Sequence, residues 1–319
     1  MSIPGLPSSV RLVEVGLRDG LQSVDHTLRT EDKLELVHLL LDAGVREIEA
    51  VSFAHPKVLP QLADAAELMD LVPRVPGVVY RGLAPNLRGA QRAVECGLDE
   101  LVVVVSADEE VSLRNQRLTV DQILADLARI GELAAATGTR LVVAVACAFF
   151  APARGPVPRG ERLRVLHAAD DAGAAAVYLA ATSGEEVPGE MYEGVAEARA
   201  LFPHLDVGVH LHNRNGFAPA NAMASMMAGA SWLEGSFAGL GGDLWFPGDP
   251  TVLGNAPLED LIHLCDGLGI ETGIDLDRYM VAVARAVELT GRPSASFVSR
   301  GGTRDGLAAA RWPDAPAQG

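Results

Sequence analysis

Residues 100–106 read ELVVVVS, residues 119–138 read TVDQILADLARIGELAAATG, and residues 141–149 read LVVAVACAF. The first and third are short, apolar and β-branched, the pattern of strands buried on both faces. The middle stretch repeats apolar residues at helical spacing, with Thr119 as a capping residue before it and Gly138 to stop it. Strand, helix, strand in that order calls for parallel strands with a crossover helix lying on the sheet.

The alternation extends in both directions. Runs at Arg11–Val15, Glu47–Phe53, Val78–Leu83, Ala175–Ala181, Val207–His212 and Trp232–Phe237 join Glu100–Ser106 and Leu141–Phe149. Between the first two, Thr30 reads as the cap of an acidic first turn (Glu31, Asp32), and Ala43-Gly44 ends that helix. Eight units predict a closed (β/α)8 TIM barrel, since a doubly wound sheet has about five to seven strands. The 319 residues suit one barrel or two ordinary domains. No linker-like break interrupts residues 1–290, which favours one. After Asn255, PLEDLIHLCDGLG and DLDRYMVAVARAVELTG add two amphipathic helices. The catalytic barrel with these helices is expected over residues 1–295, and residues 296–319, rich in Gly, Ala and Pro, as a mobile tail.

Lys plus Arg number 26 against 42 Asp plus Glu, a net charge of −16. Such a surface repels phosphate backbones and anionic lipid, so neither nucleic acid nor a membrane is expected as partner. Three scattered cysteines, Cys96, Cys147 and Cys265, form no CxxC and suit a reducing cytoplasm. The N-terminus shows no signal-peptide pattern, and no apolar run approaches about 18 residues.

Chemistry in a barrel concentrates where strands run into the following loops. The first run ends Glu14-Val-Gly-Leu-Arg18-Asp19-Gly20-Leu-Gln22, a cation and a carboxylate side by side. Alone, that pair reads as a surface salt bridge in a turn. The seventh run is Val207-Gly-Val-His210-Leu-His212-Asn213. Residues two apart on a strand face the same way, so the two imidazoles either share an ion or serve as ordinary buried histidines. Barrel closure puts strands one and seven one strand apart, which brings Asp19 to the same rim. Asp plus two His suits Mg²⁺, Mn²⁺, Co²⁺ or Zn²⁺. Asn255 is either a helix cap or a further ligand. Glu49 is a carboxylate in an apolar run and needs a partner such as Arg18. The glycines of Gly239-Leu-Gly-Gly242-Asp243 permit close backbone approach to a ligand.

GLRDGLQ, IEAVSFAHPKVLPQLAD, LAPNLRGAQRA, HLHNRNG, ANAMASMMAGASWLEGSFAGLGG and EDLIHLCDGLGIETGIDLD, in this order, closely resemble 3-hydroxy-3-methylglutaryl-CoA lyases. These belong to a group of metal-dependent barrel lyases and condensing enzymes that includes isopropylmalate, homocitrate and citramalate synthases. The resemblance covers about residues 10–295. It implies a divalent ion, Mg²⁺ or Mn²⁺ first and Zn²⁺ or Co²⁺ next, on Asp19, His210, His212 and Asn255. It implies Arg18 as the arginine at the enolate oxygen and Glu49 as the active-site glutamate. Gln22, Ser52, Asn86, Asn115 and Thr182 match positions near the substrate.

Departures are equally specific. The lyases end strand six in Gly-Asp-Thr, where this chain has Ala180-Ala181-Thr182. They carry a cysteine in Gly-Gly-Cys-Pro, where this chain has Gly242-Asp243-Leu-Trp-Phe-Pro247. Strand five ends Phe149-Phe150-Ala151-Pro152 instead of Phe-Gly-Cys-Pro, and Val111 stands where a histidine is expected. The metal cradle is retained while the proton-transfer set is exchanged. Glu49, His210 or metal-activated water are the candidate bases, and Asp243 the candidate acid. The expected reaction is cleavage of a C–C bond in a 3-hydroxy carboxylic acid or its CoA thioester, with a substrate or mechanism changed from the usual one. The alternatives are an aldol or Claisen condensation in the reverse direction, and a barrel that binds without catalysing. The substrate is expected to be a small anion, and a homodimer is expected.

Overall fold

In the computed structural model, which describes residues 3–242, 246–247 and 254–312, each β-branched run forms a strand. The strands are β1 (Arg11–Glu14), β2 (Glu47–Ser52), β3 (Val79–Leu83), β4 (Glu100–Ser106), β5 (Arg140–Ala146), β6 (Ala176–Ala181), β7 (Asp206–Leu211) and β8 (Trp232–Gly235). All neighbours pair in parallel, and β8 closes onto β1, with Glu14 opposite Gly235. The predicted (β/α)8 barrel is therefore the fold. The helix from Val120 to Thr137 starts after Thr119, which forms a capping box with Gln122, and ends on Gly138 in the left-handed region.

Several boundaries differ from the sequence reading, each for a local reason. β5 stops three residues before Phe149, because Cys147 takes φ +48° and turns the chain into a hairpin pairing Phe150–Ala151 with Gly155–Pro156. β1 gives way at Val15 to a π-helical turn, Gly16–Gly20, and β8 stops at Gly235 ahead of a 3-10 turn, Phe237–Gly239. Thr30 is the first helical residue and not the cap; its Oγ1 donates to Asp64 (3.0 Å). Asn255 caps nothing, since the next helix, Leu258–Leu268, begins after Pro257. The helix Leu276–Thr290 follows as expected. At the start of the expected tail, the Asp260 carboxylate accepts from Ser296 Oγ and from the Phe297 and Val298 amides at 2.7–2.9 Å. Two short helices follow, Val298–Gly301 and Arg304–Ala309.

Both faces of the sheet are buried, as its continuous apolar runs require. Outward residues such as Val103, Val105, Val143, Val145, Val207 and Val209 pack under the helices. Inward, Val13, Val15, Val102, Val142, Ala144, Ala176, Tyr178, Ala180 and Trp232 fill the lumen. Gly208, opposite Trp232 in the register, makes room for that indole: a Cβ there would lie 2.1 Å from the ring. Among the described residues no helix is long and apolar enough to cross a membrane.

Candidate metal centre at the strand ends

The π-helical turn after β1 decides where the first two side chains go. The Val15 carbonyl accepts from the amides of Arg18 (3.1 Å), Asp19 (2.7 Å) and Gly20 (3.3 Å). This tight winding folds Arg18 and Asp19 back over the barrel mouth, each only 6% exposed. The pair is a buried one, not the surface salt bridge it resembles in isolation. Arg18 Nη1 donates to Asp19 Oδ1 (2.5 Å), while its Nε and Nη2 form a fork to the two oxygens of Glu49 (2.8 and 3.0 Å). Such bidentate pairing fixes a guanidinium in plane and direction. Gln22 Nε2 also donates to Asp19 Oδ1 (2.9 Å), leaving Oδ2 turned toward the histidines.

At the end of β7 the rings of His210 and His212 lie 5.0 Å apart. One ligand atom each from Asp19, His210 and His212 can be chosen so that all lie within 4.8 Å of one another. Each histidine has its Nδ1 engaged from outside the cradle: His210 by Glu234 Oε2 (3.1 Å), His212 by the Thr182 carbonyl (2.7 Å). A carbonyl only accepts, so His212 Nδ1 carries the hydrogen and Nε2 keeps a lone pair. That Nε2 is buried, 4.0 Å from Asp19 Oδ2, with no hydrogen-bond partner.

Asn255 completes the cradle. Its backbone forms an isolated antiparallel bridge with His212, and its Nδ2 donates to Asp19 Oδ2 (2.6 Å) and the Leu240 carbonyl (2.8 Å). Its Oδ1 is buried and unpartnered. Two orphaned acceptors beside a carboxylate are costly without a positive partner. The donor set, two imidazoles, a carboxylate and an amide oxygen, matches a divalent ion, so these residues fit the metal that the sequence calls for.

Electrostatics at Asp19 and His212 favour the same state, whereas His210, where Glu234 and Asp19 outweigh burial, is raised above its usual value. Burial works against ionisation of Asp19, but Arg18 and both imidazoles outweigh it and hold the carboxyl well below its usual range. His212 is pushed down to about 4 by burial and by neighbouring His210, so its ring is neutral and able to ligate. Burial pushes Glu49 up, opposed by the Arg18 fork.

The other candidates separate. Thr182 sits beneath the site, where its carbonyl holds His212 and its Oγ1 accepts from the Cys147 amide (2.8 Å). Ser52, buried at the end of β2, accepts from the Ala54 amide (3.2 Å). Asn86 is exposed and caps the helix Leu87–Glu95 through the Gly89 amide (3.0 Å). Asn115 is exposed at the end of the helix Glu109–Asn115. Val111 is buried in that helix. Asp243 and Trp245 lie outside the described residues. Phe246 is buried and Phe150 half-buried.

Three lumen residues escaped the sequence reading: Arg81, Tyr178 and Glu234. The Tyr178 ring lies 6.0 Å from His210, and its phenol is raised well above the usual value by burial and by Glu234 and Glu49. Arg81 and Glu234 carry the signal that exposed Glu49, a charge inside an apolar strand run.

Residues 9–287 match the HMGL-like family. The chain is 35% identical over 292 residues, 92% of its length, to the mitochondrial hydroxymethylglutaryl-CoA lyase of Arabidopsis thaliana, 62% of which it spans. It is 33% identical over 299 residues, 94% of its length, to the Bos taurus enzyme of that name, and covers 91% of that protein. Among solved structures, an HMG-CoA lyase from Acinetobacter baumannii in complex with coenzyme A and 3-methylmalate superposes with a TM-score of 0.89. The two are 31% identical, and the match covers 98% of this chain and 100% of that one.

Proposed function

The chain belongs to the HMGL-like family, and from that premise we propose that it is a divalent-metal-dependent carbon–carbon lyase. Its substrate is a 3-hydroxy carboxylic acid, carried as a CoA thioester. The observation that carries this reading is the pair of orphaned acceptors, His212 Nε2 and Asn255 Oδ1, on two residues that both adjoin Asp19 at the strand ends. The relatives' names and the coenzyme A of the Acinetobacter structure support the substrate class.

Asp19, His210, His212 and Asn255 would hold the ion. When bound, it supplies Lewis acidity that lowers the pKa of a hydroxyl and fixes hydroxyl and carbonyl oxygens together. Arg18 presents its remaining N–H groups to the oxygen on which enolate charge develops, and Glu49 and Asp19 hold it there before the substrate arrives. Each Glu49 oxygen takes one hydrogen bond from Arg18 and keeps a second lone pair, so Glu49 is the chain's own acceptor for the hydroxyl proton. Asp243 is the proposed donor to the enolate carbon.

A cradle kept in a sequence that reads Ala181, Asp243 and Val111 where the lyases have aspartate, cysteine and histidine supports a substrate changed from 3-hydroxy-3-methylglutaryl-CoA. The test is a mass-spectrometric product screen of metal-loaded protein against 3-hydroxy acids, their CoA thioesters and α-keto acid plus acyl-CoA pairs. Cleavage of one 3-hydroxyacyl thioester, slowed by Asp243→Asn, is the expected result. Condensation only, or no turnover of any compound, would defeat the proposal.

A further inference from the structure

We infer that Arg81, reaching across the barrel lumen from β3, is a positioning residue that fixes the tautomer of His210 through Glu234. Barrel lumens are ordinarily filled by layers of apolar side chains. Here Arg81 is 1% exposed and meets carboxylates from three strands. Its Nη1 donates to Glu234 Oε1 (3.0 Å) and its Nη2 to Glu47 Oε2 (2.6 Å). Its Nε lies 2.5 Å from Glu100 Oε2, off the N–H axis, an ion pair more than a hydrogen bond. Its guanidinium stacks over Trp232 at 5.0 Å.

Glu234 is where this network reaches the metal cradle. Its Oε1 accepts two donors, Arg81 Nη1 and Trp232 Nε1 (each 3.0 Å). With Oε1 so claimed, Oε2 is aimed at His210 Nδ1 (3.1 Å). A carboxylate there selects the Nδ1–H tautomer and leaves the Nε2 lone pair for the cradle. The guanidinium, forked between Glu234 and Glu47, matters because it adds a second, anchored donor to the Oε1 that Trp232 would otherwise hold alone. Arg81 touches neither substrate nor ion; it acts by holding Glu234, which holds His210.

The consequence for ion binding rests on the metal reading above, whereas the tautomer is a property of the metal-free protein. Long-range ¹H–¹⁵N spectra of metal-free protein report the tautomer of each histidine, and calorimetric Mn²⁺ titration reports affinity. In the parent, at a pH where the ring is neutral, His210 is expected as the Nδ1–H form. Glu234→Gln has one acceptor oxygen, which Arg81 and Trp232 already claim, so its NH₂ faces Nδ1 and reverses the tautomer to Nε2–H. Mn²⁺ affinity then falls by about 10–100-fold. Arg81→Lys keeps the charge but not the fork, and gives mixed His210 tautomers with affinity lowered by about 3–10-fold. His212, held by the Thr182 carbonyl just past β6, is unchanged in both variants. That selectivity separates positioning from general loosening of the core. The inference is overturned if His210 keeps its tautomer in Glu234→Gln and Arg81→Lys, or if His212 shifts along with it. A parent that binds no Mn²⁺ would sink the metal reading, and the spectra would still judge the relay.

Discussion

Replacing Gly241 by alanine adds one methyl group at the rim of the cradle, and the structure says what that group meets. Gly241 sits at φ +124°, where an L side chain is strained by about 1–3 kcal/mol. Its Cβ would lie 2.1 Å from Asn255 Nδ2 and 2.8 Å from Asp19 Oδ2. Restoring ordinary contact requires the Asn255 amide to retreat by more than about 1 Å. That movement gives up its bonds to Asp19 (2.6 Å) and to the Leu240 carbonyl (2.8 Å). A hydrogen bond to a charged group contributes about 1.5–3 kcal/mol. Allowing for relaxation of the loop, we expect a loss of about 3 kcal/mol concentrated on the assembled cradle, or roughly 100-fold in Mn²⁺ affinity. The assay is calorimetric titration of metal-free protein, with circular dichroism to confirm that the barrel remains folded. Gly160→Ala serves as control, because a Cβ there meets nothing within 4 Å. Gly241→Ala binding Mn²⁺ within threefold of the parent would refute the reasoning.

Other consequences are open to direct measurement. Glu49→Gln should lower kcat by at least about 100-fold while leaving Mn²⁺ affinity nearly unchanged, since Glu49 bonds Arg18 and no proposed ligand; unaltered turnover would remove Glu49 from the chemistry. Burial pushes the Glu14 carboxyl up to about 7 and that of Glu259 up to about 8, from an ordinary 4.5. The folded state therefore binds these protons more tightly than the unfolded chain, so their stabilising effect is full below pH 4.5 and is lost as pH rises through 7–8. Urea unfolding at pH 5 and 8 should show Glu14→Gln, which stays neutral, with a shallower decline than the parent by on the order of 3 kcal/mol; parallel pH profiles would contradict this. Gly208→Ala drives a methyl into the Trp232 indole and should destabilise the barrel by about 1–3 kcal/mol, read as a lower Tm; an unchanged Tm would mean the lumen has slack.

The barrel was legible because its strands are buried on both faces, and continuous runs such as ELVVVVS and LVVAV are hard to mistake once helices of clear period separate them. The edges were less legible, because a strand ends where the backbone turns. Cys147 at φ +48° ends β5 inside a run that stays apolar to Phe149. At the site, HxH on β7 and Asp19 after β1 could be joined on paper, because closure alone brings those strands within reach. Asn255 was harder. Its place beside Asp19 comes from a backbone bridge to His212, which nothing local to Gly254-Asn255-Ala256 announces. Arg81 and Glu234 carry the same mark as Glu49, a charge within a strand run, but escape the sequence reading because their meaning depends on contacts across the lumen between residues 153 positions apart. Asn86 shows the opposite: its cap on the helix after β3 is local, made to the amide of Gly89 three residues on.

Asp19, His210, His212 and Asn255 are proposed to form one divalent-ion site. Titration of metal-free protein with Mn²⁺, beside His212→Ala and Asn255→Ala, tests it most directly. One ion per chain is expected in the parent, with binding weakened by at least about 100-fold when His212 is lost and less severely when Asn255 is lost. A parent that takes up no ion, or a His212→Ala variant that binds as tightly as the parent, would contradict it.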